Sequence, residues 1–316
     1  MFLITVLLFT ALQTPAASVG ANVPAARETD PGLTMPGREA DARVARIGYR
    51  LAVGGRARCP AAVPVPGLVL QHLSQFQLAD RAGVTAVQPF DRGPGVIVVV
   101  PAGAAAAAGV RVGDVLLAVN GMPVPPEPGL AEPFDAARAR DRADAVDDLL
   151  ERPGPVTVTL LRDGAPVLAR IEPRAACPSR IRLARSGQRN AYADGRHVFL
   201  TTGLLARLRS DDELAFVLAH EMAHNILGHA AAMRSGGVGH GIGRGMGRSG
   251  RIVRAAERAA DALAGELMLD TGFDPVAGAA VLERLDGEGL GPFADHDAAG
   301  RRVAAMRALV QARRGS

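Results

Sequence analysis

The sequence contains no Trp and no Lys, and it has only two Tyr and two Cys in 316 residues. So few large aromatics leave no set of stacking side chains interleaved with basic ones, which is how single-stranded nucleic acid is gripped. The 36 basic residues are therefore all Arg; they are scattered among 32 acidic residues, and the formal net charge is only +4. A nucleic-acid partner is not expected from that pattern. Also missing is any apolar run approaching the roughly 20 residues that a membrane-crossing helix needs, so no integral membrane span is expected. Gly (37), Pro (22) and apolar residues (48%) are plentiful. That apolar content is enough for packed cores and excludes wholesale disorder. At roughly 100–200 residues per domain, the length suggests two domains.

Residues 2–12 form a short apolar run, followed by Thr14, Pro15 and the small residues Ala16, Ala17 and Ser18. This is the layout of an h-region and a small-residue cleavage site, so residues 1–20 are expected to be a signal peptide and the mature protein periplasmic or secreted. In an oxidising compartment Cys59 and Cys177 can pair; two unpaired thiols are the alternative. Residues 21–37 read as an exposed leader. Residues 38–53 place Val44, Ile47 and Leu51 at helical spacing. Residues 60–67, with Pro60, Pro64, Pro66 and Gly67, have linker composition.

Further on, 97–100 is a β-branched run, 104–108 a helical turn ended by Gly109, and 115–119 a second strand before the tight-turn pair Asn120-Gly121. A helix over 135–151 turns Ala139, Ala143, Val146, Leu149 and Leu150 inward. Strands at 156–161 and 167–171 flank a turn at Arg162-Asp163-Gly164. This order, carried by the run from Gly95, the Ala-rich turn to Gly109, Gly113-Asp114-Val115 and Asn120-Gly121, resembles a PDZ domain of the bacterial HtrA-type permutation over about residues 80–173. The resemblance implies a groove that takes a peptide C-terminus as an added strand, with Gly83 and Val84 in its carboxylate loop. A module that only positions or regulates is the alternative.

The chemistry-bearing residues come later. Ser210 and Glu213 form a capping box that opens a helix. Leu214, Val217, Leu218, Met222 and Ile226 give that helix a buried stripe. Inside it lies an HExxH, His220-Glu221-Met222-Ala223-His224. The four-residue spacing puts both imidazoles on one face, able to hold Zn²⁺ at ~2.0–2.1 Å. Glu221, next to the first His, can reach a water as general base. A metzincin would carry its third His at position 230, which is Ala230; His229 is displaced by one and reads as a packing residue or a partner of a ligand. On a helix expected over 252–269, Glu257 and Asp261 lie one turn apart. Glu257 can ligate the metal and Asp261 can orient a ligand His; a solvated charge pair is the bland alternative.

HExxH, then ExxxD, then Gly272-Phe273-Asp274-Pro275 resembles the HtpX / CAAX-prenyl-protease type of zinc metallopeptidase. The resemblance spans residues 180–310 and includes Asn190-Ala191-Tyr192, Gly195, Val198-Phe199 and Gly203-Leu204-Leu205; residues 43–51 resemble that family's opening helix. It implies an α+β protein: a gluzincin metallopeptidase domain, helical with a small edge-strand sheet, carrying an inserted PDZ-like β-barrel or sandwich. The divisions would be a signal peptide (1–20), a leader and opening helix (21–58), the insertion (59–177) and the catalytic domain (178–316). Cys59 and Cys177 would then stand at the insertion's two feet. The resemblance further implies one Zn²⁺ per chain on His220, His224 and Glu257, with Glu221 as base. Asn190, Ala191 and Tyr192 would form the edge strand that pairs with substrate. His296, followed by Asp297 where that family has Pro, would donate to the oxyanion or occupy the open metal position; a surface His is the alternative. The Gly-rich stretch 235–250 is a lid or a plain linker. The expected function is a secreted or periplasmic zinc endopeptidase acting on unfolded or extended proteins in envelope quality control. The competing expectation is a catalytically silent, PDZ-containing scaffold or chaperone.

Overall fold

Helix α1 (Glu39–Gly54) carries Val44, Ile47 and Leu51 on one stripe, and all three are buried. In the computed structural model, which describes residues 34–235, 247–286 and 297–315, this stripe enters the largest apolar core. The signal-peptide segment, positions 236–246 of the Gly-rich stretch and His296 lie outside the described residues.

The segment 60–67, expected to be a linker, contains a short strand, β1 (Val63–Val65). It pairs antiparallel with β8 (Arg174–Ala176) in a two-stranded ribbon. A ribbon with two open edges tolerates Pro64, whose missing N–H costs nothing on an outer side. Beside the ribbon, Cys59 and Cys177 form a disulfide with their Cα atoms 5.5 Å apart, and both are buried.

Between these ends the chain runs β2 (Leu68–Gln71), α2 (Leu78–Val87), β3 (Gly95–Val99), α3 (Ala104–Ala107), β4 (Val115–Val119), β5 (Met122–Pro123), α4 (Ala136–Leu150), β6 (Val156–Arg162) and β7 (Ala165–Ile171). The sheet order is β2-β3-β4-β6-β7, every neighbour antiparallel, with β5 against β4. β3 is buried along its whole length because Val96 and Val99 enter one core and Ile97 and Val98 another. The hairpins β4–β5 and β6–β7 turn on Asn120-Gly121 (φ 50° and 77°) and Asp163-Gly164 (φ 50° and 79°). Two successive left-handed residues match the right-handed twist of the flanking strands, which is why Asn-Gly and Asp-Gly appear there. α4 starts where Asp135 accepts the N–H groups of Ala137 and Arg138.

Gly83 and Val84 correct one expectation: they lie inside α2, not in a carboxylate-binding loop. They also follow the edge strand β2 rather than precede it. The residues that lead into β2 are Pro66 and Gly67, the latter at φ 77°. α2 is held by Arg81, which is fully buried and donates to the carbonyls of Phe76, Gly129 and Glu132. A second unanticipated feature precedes α1: the Met35 N–H donates to the Ile97 carbonyl at 2.9 Å, and Thr34 bridges to Val98. The opening segment thus joins the sheet at β3.

The remainder comprises β9 (Arg180–Ala184), β10 (Ala191–Ala193), β11 (His197–Thr201), α5 (Thr202–Leu205), α6 (Asp211–Ile226), α7 (His229–Ser235), α8 (Gly247–Asp270), α9 (Pro275–Asp286) and α10 (Ala299–Gly315). Its sheet has the order β10-β11-β9, with β11 antiparallel to β10 and parallel to β9. α6 begins at Ser210, whose hydroxyl accepts the Glu213 N–H, and carries Asp211, Asp212 and Glu213 in its first turn, where the helix dipole favours acids. α6 is apolar nearly all round because it is the central helix of the core. α9 crosses it closely at Gly278, where a Cβ would stand 2.6 Å from the Asp212 carbonyl. The whole is an α+β fold. Among the described residues no helix is long and apolar enough to cross a membrane.

Candidate metal centre and substrate edge

One turn of α6 separates His220 from His224, and α8 brings Glu257 to them. The Nε2 atoms of the two imidazoles are 3.2 Å apart. Glu257 Oε2 is 3.2 Å from the first and 3.4 Å from the second. Ligand atoms around a tetrahedral zinc, each bonded at ~2.0–2.1 Å, lie about 3.3 Å from one another. Two imidazole nitrogens and one carboxylate oxygen, converging at that spacing, fit a single divalent ion with one position left for water.

The centre is held from behind. His220 Nδ1 lies 2.9 Å from Asp261 Oδ1. From α10, Arg302 donates to both oxygens of Asp261, at 2.7 and 2.6 Å. All three side chains are buried. The Asp261 contact puts the His220 proton on Nδ1 and leaves the Nε2 lone pair aimed at the cluster. Burial disfavours the imidazolium, but hydrogen bonds to Asp261 and Glu257 and the charges of Glu221 and Asp261 outweigh it and raise His220 to about 9. Burial likewise works against the Asp261 carboxylate, while Arg302 and His220 hold it down at about 2.

His229 does the same for the second imidazole. Its Nδ1 is 3.0 Å from His224 Nδ1. With His224 Nε2 turned to the cluster, its Nδ1 carries the proton and His229 accepts it. Burial and the neighbouring His224 push the His229 pKa below its ordinary value, which keeps that acceptor neutral.

The cluster opens on a cavity of about 430 Å³, lined by Glu221, His229, Met233 and the β10 residues Ala191, Tyr192 and Ala193. This is a ligand-sized cleft. The register of β10 decides which of its groups are free. The Thr201 N–H donates to the Asn190 carbonyl at 3.0 Å, and the Asn190 N–H donates to the Thr201 hydroxyl at 3.0 Å. Antiparallel pairs alternate, so Tyr192 also turns its backbone to β11, while Ala191 and Ala193 turn theirs to the open edge. Asn190, expected on the substrate edge, therefore lies just before the strand with its backbone groups committed to Thr201.

Asn225 was not singled out from the sequence. It follows His224 directly and ends α6 as a buried polar residue. Its Oδ1 accepts the Gly195 N–H at 2.8 Å, and its Nδ2 donates to the His197 carbonyl at 3.0 Å. The turn between β10 and β11 is thereby tied to the metal-binding helix. An amide immediately after the second His was the only local hint.

With this geometry in place, similarity to known proteins can be stated. Residues 167–241, which include the HExxH and end before Glu257, match the model of peptidase family M48. Residues 95–162 and 42–126 each match a PDZ-domain model; the two matches overlap and mark one module. These matches support a metallopeptidase that carries a PDZ module. No curated protein matches the chain.

Proposed function

We propose that the protein is a zinc-dependent endopeptidase of the HtpX / CAAX-prenyl-protease type, working in the periplasm or outside the cell on extended or unfolded polypeptide. The observation that carries the reading is the convergence of His220, His224 and Glu257 beside Glu221, in a cleft whose wall is an open strand edge. Zinc held by those three residues would polarise the scissile carbonyl and acidify a water. Substrate main chain pairs with the outward backbone groups of Ala191 and Ala193 as an added strand, which selects extended chain. Glu221 takes the proton of the attacking water and hands it to the leaving amine. Asp261, Arg302 and His229 keep the two imidazole lone pairs aimed at the metal position. A catalytically silent scaffold would have no use for the Glu221 carboxylate in this cleft. The apolar run at 2–12 and the Cys59–Cys177 bond support an extracytoplasmic location.

The test is hydrolysis of casein by the mature chain. Activity is expected to vanish with a chelator and return with zinc. Glu221→Gln should keep the metal and lose about 10²–10⁴-fold in turnover, the usual worth of a general base. A Glu221→Gln enzyme at the wild-type rate would remove the proposed mechanism.

A further inference from the structure

PDZ domains take an extended peptide beside an edge strand. In this sheet β2 is one of the two edge strands, and the end of α4 lines the groove beside it. We infer that this groove is occupied by the protein's own peptidase half, so that the PDZ module is a fixed wall behind the substrate strand rather than a receptor for peptide C-termini. The role given to the substrate strand rests on the peptidase reading above.

Three observations meet here. First, α4 has two committed faces. Ala139, Ala143, Val146 and Leu150 are buried, the last two in the core of the PDZ sheet. The opposite stripe, Asp144, Asp147, Asp148 and Glu151, clasps the peptidase sheet. Arg180 of β9 is buried and donates to Glu151 at 2.6 Å, to Asp148 at 2.5 Å and to Asp144 at 3.4 Å. Arg182 pairs with Asp147, and Arg196 with Asp148. Second, the entry to β2 is capped. A Cβ on Gly67 would stand 3.0 Å from the Tyr49 ring of α1. What remains between β2, α4, α1 and β9 is a cavity of about 130 Å³, below the roughly 300 Å³ at which ligand pockets begin.

Third, the wall reaches the cleft. The Arg140 guanidinium of α4 lies 5.6 Å from the Phe199 ring centroid, and Phe199 stacks on Tyr192 at 4.8 Å. His197 contacts Asp144 of α4 at 2.8 Å through Nε2 and Asp194 at 3.1 Å through Nδ1. Tyr192 and Asp194 both line the cleft. Asp144 and Arg140 are thus positioning residues for the strand that would receive substrate.

The test uses the full chain carrying Glu221→Gln, so that peptides are not consumed and the outcome does not depend on activity. Heptapeptide libraries with free C-terminal carboxylates are compared with the same libraries amidated. No carboxylate-dependent binding is expected; carboxylate-selective binding with slowed amide exchange at β2 would overturn the inference. Arg180→Glu is expected to speed exchange about tenfold at both β2 and β10, the sign of a local opening shared by the two strands. Faster exchange at β2 alone would mean that the wall does not position β10, and would overturn it too. Should Arg180→Glu not fold, the exposed Arg140→Ala carries the test in the active enzyme. KM is then expected to rise about threefold at unchanged kcat, as for lost uniform binding; an unchanged KM would count against the wall. Failure to cleave casein would instead be a failure of the peptidase reading and would leave the binding and exchange results standing.

Discussion

Two of the histidine–carboxylate contacts among the described residues are of nearly the same make, one in each half. His220 meets Asp261 at 2.9 Å, and His72 meets Glu127 at 2.6 Å; all four residues are buried or nearly so. In the peptidase half the other ring nitrogen of His220 faces His224 and Glu257 beside the cleft. In the PDZ half the pair is tied to the backbone of its own loop. The second oxygen of Glu127 accepts the Ser74 N–H at 3.1 Å, and the His72 main-chain N–H donates to Gln75. That pair pins the loop before α4, and neither residue lines either of the two cavities described above. A buried, oriented imidazole becomes a ligand only when a lone pair is left over and shares an open space with others.

Four substitutions or conditions would break or sharpen this contrast. The largest effect is expected from Glu257→Ala, which removes one of three donors and should weaken zinc by more than about 100-fold, beyond the cost of an outer partner. A competition titration with a chromogenic chelator reads it, and unchanged affinity would take Glu257 out of the ligand set. Asp261→Asn removes only the orienting partner and should cost about 10- to 100-fold in the same titration. In the other half, Glu127→Gln should lower stability by about 2 kcal/mol, as for a lost hydrogen bond to a buried charged group, with zinc affinity unmoved. Urea melts paired with the chelator assay separate the two readouts; a drop in zinc affinity would show that the halves are not independent.

The smallest effect concerns acid. Burial works against the carboxylates of Asp144 and Asp194, but hydrogen bonds with His197 outweigh it, helped by Arg180 and Arg182 at Asp144 and by backbone N–H groups at Asp194. Both pKa values are therefore depressed. Their stabilisation is complete above the unfolded value near ~3.9 and is lost as pH falls through the folded value. Each partly exposed carboxylate is worth no more than about 1 kcal/mol. Protection of the β9 and β11 amides, taken relative to the intrinsic exchange rate at each pH, should fall as the pH drops below about 4. Protection factors that stay constant between about pH 4 and 2 would remove these acids from the contact between α4 and the sheet.

Local chemistry made much of the chain readable. Four-residue spacing places His220 and His224 on one face of any helix, and Asn-Gly and Asp-Gly demand left-handed turns wherever two strands flank them. Gly83 and Val84 misled because the PDZ resemblance asks for a loop just ahead of a groove strand, whereas buried Arg81 and its three carbonyl partners hold a helix there. Residues 60–67 misled because prolines suggest a linker, and only the partner strand β8 shows that Pro64 sits where no N–H is needed.

Sequence alone determined that His220 and His224 share a helix face with Glu221 beside them, the hairpin turns and the polar start of α6, since each depends on residues within one turn of one another. Tertiary structure decided which strand edge stays open, that Asn225 ties β10 to α6, and that the acidic stripe of α4 is spent on Arg180, Arg182 and Arg196. Those outcomes depend on charges and backbone groups brought together from distant parts of the chain. Along the sequence an acidic stripe facing water and one facing three arginines are spelled the same way.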